Sequence, residues 1–155
     1  MLALPGYRAN LFTIAALLSF TVGATDPVAE ILTAPVRFVV DGDSLYLAGV
    51  KPQIRLWGVD APERDEPGFN AARNALKQLV VKQNIHCKQQ DIDKYGRIVA
   101  RCRLAAQGVI ISKQGASVDF SADRQRDINA QMIRGGTARE YCYFSKGYYG
   151  ACPKK

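Results

Sequence analysis

The chain has a single histidine, His86, among its 155 residues. One imidazole, with Cys87 as its neighbour, supports neither a Ser–His nor a Cys–His catalytic arrangement. Four cysteines are present but no Cys-x-x-Cys pair, so a zinc site has little to stand on. No apolar run approaches the roughly 20 residues needed to cross a hydrocarbon core. Acids are also scarce. Asp and Glu number 14 against 21 Lys and Arg, giving a net charge of +7 and a pI near 9.4. That balance favours polyanionic partners such as nucleic acid, acidic polysaccharide or an anionic membrane surface, without choosing among them. Apolar residues make up 48% of the chain, which excludes a disordered or fibrous protein.

The first 24 residues read as an export signal. Arg8 precedes a mostly apolar run, Leu11 to Val22, and Val22-Gly23-Ala24 offers small residues for cleavage. Cleavage after Ala24 would leave one domain, residues 25–155, secreted or periplasmic, with no stable membrane association and expected to be a monomer. An even cysteine count in an exported chain favours disulfides. Of three possible connectivities, Cys87–Cys102 and Cys142–Cys152 close the shortest loops, each worth about 3 kcal/mol in a chain-entropy picture.

Periodicity then outlines a small β-rich domain. Strands are expected at Val36–Val40, Ser44–Ala48 and Gln53–Val59, joined by tight turns into a meander. Residues 25–34 read as an approach segment. Asn70–Val81 is the clearest helix, with Ala72, Ala75, Leu76, Leu79 and Val80 on one face and Asn70 as its expected cap. Asn84–Gln89 and Arg97–Leu104 form a hairpin, which a Cys87–Cys102 bridge would staple. Residues 105–126 hold a short β-like run, Val109–Ile111, and Asp127–Arg134 is a second helix stopped by Gly135-Gly136. Five short strands interrupted by a helix suggest a closed, mixed barrel of the OB type.

Several residues carry possible chemistry. Asp43 and Asp60 lie at strand edges where turns gather, and hard carboxylate oxygens suit Ca²⁺ or Mg²⁺. Glu63 follows Asp60 across Pro62 and is positioned in sequence to take a proton from water. Arg55 alternates away from Ile54 and Leu56, and Arg97 opens a strand; two guanidinium groups meeting on one phosphate would make fork-like, charge-assisted bonds. Singly, each has a plainer reading as a turn, a loop acid or a surface arginine.

Together they form an ordered set: Val39-Val40-Asp41-Gly42-Asp43-Ser44, Ile54-Arg55-Leu56, Val59-Asp60-Ala61-Pro62-Glu63 and Asp93-Lys94-Tyr95-Gly96-Arg97. This closely resembles the staphylococcal nuclease family, with Asn129, Met132-Ile133, Gly136 and Ala138 continuing the pattern. The resemblance implies an α+β, mainly β fold, a five-stranded OB-fold barrel with about three helices. It implies a Ca²⁺ ion held by the Asp43 and Asp60 carboxylates and the Ala61 carbonyl, with Asp41 bracing the site. Glu63 would be the general base, and Arg55 and Arg97 would grip the scissile phosphate. Lys94 and Tyr95 would contact a neighbouring phosphate. DNA and RNA would both be cut at the P–O5′ bond, leaving 3′-phosphates. The sequence departs from the pattern in the tail, where Cys142 falls near an expected stacking tyrosine and leaves Tyr141 or Tyr143 as candidates. Two other readings compete: a noncatalytic OB-fold module that binds nucleic acid, and a protein acting on acidic polysaccharide.

Overall fold

The computed structural model of the protein describes residues 30–106 and 124–153. The proposed export signal and the run Val109–Ile111 lie outside the described residues.

A meander opens the domain: β1 (Ile31–Val39), β2 (Ser44–Leu47) and β3 (Ile54–Leu56), paired antiparallel in order. Two short strands also appear, β4 (Val59–Asp60) and, much later, β7 (Arg139–Glu140). After α1 (Phe69–Val80) come β5 (Asn84–Ile92) and β6 (Ile98–Leu104), then α2 (Ile128–Arg134) and the single turn α3 (Cys142–Ser145). The sheet closes as β1-β2-β3-β6-β5. Only β3 and β6 run parallel; β1 and β5 complete the circle antiparallel, Ile31 facing Lys88 and Pro35 facing Asn84. Closure removes the free sheet edges that would otherwise template aggregation. The domain is thus the five-stranded mixed OB barrel with three helices that the sequence implied.

Alternation fills the interior. Leu45, Leu47, Ile54, Leu56 and Ile85 are fully buried, together with the facing pair Cys87 and Cys102. Those cysteines are bonded across β5 and β6, and Cys142 is bonded to Cys152. Helix α1 buries Ala72, Leu76 and Val80, one residue per turn, against the barrel. Asp127 caps α2, its carboxylate accepting from Ala130 N at 2.9 Å. From α2 the fully buried Asn129 reaches the barrel: its amide accepts from Cys102 N and donates to the Trp57 and Ala100 carbonyls. Glu140 anchors the tail, its carboxylate accepting from Ser145 Oγ at 2.6 Å, Tyr149 N at 2.9 Å and Ala151 N at 2.7 Å.

Three expectations need correction. Residues 31–34 are not an approach segment but the start of β1, because they pair with β5, a contact between distant segments that local pattern cannot reveal. The run Gln53–Val59 is two strands, since the chain turns at Gly58 with φ +69°. Asn70 does not cap α1. The helix begins at Phe69, behind Gly68 in a left-handed conformation (φ 96°), and no side chain caps it.

Candidate active site

The turn between β1 and β2 builds the site's fixed corner. Asp41 Oδ1 accepts from Asp43 N at 3.0 Å, the Asx geometry that tightens such turns. Only glycine fits between the two acids. A Cβ on Gly42 would lie 2.6 Å from Ala72 Cβ on α1 and 2.7 Å from Ala61 Cβ. The turn is therefore pressed against both α1 and the segment after β4.

This packing buries Asp43 to 3% exposure. Its Oδ1 accepts from Arg55 Nη1 at 2.9 Å and from Ser44 Oγ at 2.7 Å, and its Oδ2 from Ala61 N at 3.3 Å. Strand register explains the first contact, because Ser44 faces Arg55 across β2 and β3. Burial pushes the Asp43 carboxyl up to about 6; Arg55 pulls it down, the Asp41 carboxylate adds to the rise, and the Ser44 and Ala61 hydrogen bonds lower it.

The opposite corner is looser. Asp60 ends β4, and its Oδ2 lies 3.5 Å from Arg139 Nη2, across the β4–β7 pair. Glu63 stands exposed on the loop that follows, and its side chain makes no hydrogen bond or ion pair among the described residues. Its backbone is held, with Glu63 N donating to Glu66 Oε2 at 2.9 Å and Glu66 N to the Glu63 carbonyl at 2.9 Å. Sequence reasoning missed Arg139 because its partner comes from a two-residue strand pairing.

Arg55 also lines a cleft with Lys94, Tyr95, Arg97, Tyr141 and Phe144. Arg97 is braced rather than free: its Nε donates to Asp93 Oδ2 at 2.7 Å, and its backbone N–H to Asp93 Oδ1 at 3.0 Å. Burial would raise Asp93, but the Arg97 side chain, the Arg97 and Tyr95 backbone N–H groups and the Arg97 charge together hold it below the ordinary value. Lys94 Nζ and Arg97 Cζ lie 5.0 and 5.4 Å from the Tyr95 ring centre. Asp93 stood in the motif without a role; the structure makes it the strut of Arg97. Of the two candidate tyrosines, Tyr141 lines the cleft, whereas Tyr143 packs on Phe144 and under Lys146. Phe144, which sequence reasoning passed over, is the second aromatic of the cleft, edge-on to Tyr141 at 4.9 Å.

The residues proposed to hold a divalent cation are all oxygen donors, which fits a hard ion such as Ca²⁺. The Ala61 N–H bond to Asp43 sets the Ala61 backbone beside that carboxylate. Among the described residues no group of three or more His, Cys, Asp or Glu side chains forms a self-sufficient metal cage. Water and substrate would have to complete the coordination.

A closed OB barrel with a buried carboxylate, paired arginines and a cationic, aromatic cleft on one face defines a domain suited to phosphate-bearing polymers. Comparison with known proteins makes this specific. Residues 53–151 match the sequence model of the family described as staphylococcal nuclease homologue. The chain is 30% identical over 134 residues to Protein ParB of Escherichia coli, covering 85% of this chain and 70% of that protein. It is 27% identical over 112 residues to Micrococcal nuclease of Shigella flexneri, covering 70% of this chain and 58% of that protein. The chain belongs to the staphylococcal nuclease family, a family of nuclease-type hydrolases.

Proposed function

We propose that the chain is an exported, monomeric, Ca²⁺-dependent nuclease that hydrolyses phosphodiester bonds in DNA and RNA and leaves 3′-phosphates. The observation that carries this reading is the Asp43 carboxylate, 2.9 Å from Arg55 and 3.3 Å from Ala61 N, beside a cleft that Arg55 shares with Arg97. Asp43, Asp60 and the Ala61 carbonyl would hold the cation, whose charge, when bound, offsets that of the phosphate and its transition state.

The chain's own groups supply the rest. Arg55 binds a phosphate oxygen while Asp43 fixes its orientation, and Asp93 holds Arg97 so that its terminal nitrogens face the same phosphate. Glu63, unpaired and exposed, accepts a proton from the attacking water. The water oxygen bonds to phosphorus as the P–O5′ bond breaks; the departing O5′, beside Arg97, takes a proton from solvent to become a hydroxyl, and Glu63 returns its proton to solvent. Lys94 and Tyr95 hold the next phosphate, and Tyr141 and Phe144 offer ring surfaces to a base.

Purified protein incubated with plasmid DNA or RNA tests this directly. Cleavage of both with Ca²⁺, abolished by EGTA and giving 3′-phosphate ends, is the expected result. Salt-sensitive binding without cleavage would instead establish a noncatalytic binding module.

A further inference from the structure

A second cationic surface lies beside the Asp41-Gly42-Asp43 turn, on β1, β2 and α1. Strand β1 is irregular between Val36 and Phe38, and there Arg37 and Phe38 are both exposed. Bulges of this kind break strict alternation and turn consecutive side chains outward. Phe38, 50% exposed, faces Tyr46 of β2 in register. Arg37 Cζ lies 5.4 Å from the Tyr46 ring centre, and Arg73 Cζ, from α1, lies 5.9 Å from that of Phe38. Two guanidinium groups thus flank a pair of neighbouring rings.

The three elements that carry them, β1, β2 and α1, contain no Asp or Glu; the nearest acids in sequence, Asp41 and Asp43, are turned into the candidate site's own hydrogen bonds. Neither Arg37 nor Arg73 forms an ion pair among the described residues. The Arg73 Nε is buried without a hydrogen-bond partner, while its terminal nitrogens remain the groups open to a ligand. The surface also adjoins the candidate site. Tyr46 lies two residues along β2 from Ser44, on the face Ser44 shares with Arg55, and Ala72, next to Arg73, packs on Gly42.

We propose that this surface binds the single-stranded stretch of the polynucleotide beyond the scissile phosphate, Arg37 and Arg73 taking two phosphates and Phe38 a base. The inference rests on the nuclease reading for the identity of the polymer. Charge selects a polyanion, and the exposed ring between two unpaired guanidinium groups selects one with stacking bases over an acidic polysaccharide.

Binding in EGTA, where cleavage is expected to be stopped, tests it by fluorescence anisotropy. The probes are a thymidine dinucleotide, too short to leave the cleft, and an oligothymidylate of about twelve nucleotides. The double variant R37Q/R73Q should bind the long probe about tenfold more weakly and the dinucleotide unchanged. Its slope of log affinity against log salt should shrink by about 1.4, two contacts at about 0.7 each. Phe38→Ala should weaken the long probe alone, severalfold. Equal affinities of wild type and double variant for the long probe, or equal losses for both probes, would overturn the proposal. The outcome separates from the catalytic reading. If Ca²⁺-dependent cleavage of the dinucleotide persists while the long probe ignores R37Q/R73Q, only the surface falls. If the long probe depends on Arg37 and Arg73 but nothing is cleaved, only catalysis falls.

Discussion

The two aspartates proposed to share a cation are held in opposite ways. Asp43 is buried, takes hydrogen bonds on both oxygens and sits on a turn too tight for any residue but glycine at position 42. Asp60 is half exposed and has one side-chain partner among the described residues, an arginine whose own side chain is 86% exposed. Glu63, three residues on, has no side-chain hydrogen bond or ion pair among the described residues. The Asp43 corner is part of the barrel and is built as the protein folds. The Asp60–Glu63 corner is the end of β4 and the loop after it, and its groups remain available to water, ion and substrate. A site divided in this way can be broken in two distinguishable manners, one costing stability with activity and one costing activity alone.

The largest effect belongs to the loose corner. Glu63→Ala should lower turnover about 10²–10⁴-fold, the usual contribution of a general base. Since the exposed side chain makes no hydrogen bond or ion pair among the described residues, the thermal midpoint should stay within a degree or so of the wild type. Affinity for uncleaved DNA should also survive, because a group acting in the transition state need not hold the ground state. A large loss of thermal stability in this variant would erase the contrast between the corners.

At the fixed corner, Arg55→Gln should cost stability as well as activity. It leaves Asp43 buried without its cationic partner, a loss of about 2–3 kcal/mol at neutral pH. The pH dependence has a definite sign. Asp43 is raised in the folded state, to about 6 even with Arg55 present. The folded form therefore holds its proton more tightly than the unfolded chain. That contribution to stability is complete below the unfolded value near 3.8 and is lost as pH rises through the folded one. Removing Arg55 extends the loss to higher pH. Denaturant melts should thus show a small penalty at pH 4 that grows through pH 6 and beyond. A penalty independent of pH would mean that Arg55 does not govern the charge of Asp43.

What could be read from the sequence follows the same division. The fixed corner is local and patterned: Asp41-Gly42-Asp43 announces a turn, and Ile54-Arg55-Leu56 alternates so that Arg55 must leave the core. The hairpin disulfide is legible for the same reason, Cys87 and Cys102 lying opposite each other in β5 and β6. What escaped depends on contacts between distant segments. Residues 31–34 become strand only because β5 closes the barrel, and Arg139 reaches Asp60 only through a two-residue pairing. Phe144 lines the cleft from α3, a single turn too short to show a period in the sequence. Asp93 opens the motif that ends in Arg97, but its bond to Arg97 requires the turn's geometry. Arginine beside a carboxylate in space, rather than in sequence, is the recurrent signal that residue order hides.

The smallest effect is the most direct probe of the exposed corner. Arg139 and Asp60 form a surface pair, so Arg139→Gln should change stability by less than about 1 kcal/mol. Its consequence should appear in cation binding instead. A guanidinium beside Asp60 competes with an arriving ion for the same carboxylate and repels its charge, so removing it should tighten Ca²⁺ binding severalfold at low ionic strength. Salt should shrink the difference, because both charges are open to screening. Calorimetric titration of Ca²⁺ into wild type, Arg139→Gln and Asp60→Asn separates the possibilities. Asp60→Asn should weaken binding while Arg139→Gln strengthens it. Weaker binding in Arg139→Gln would mean that the arginine positions Asp60 for the ion, and that this corner is as prebuilt as the one around Asp43.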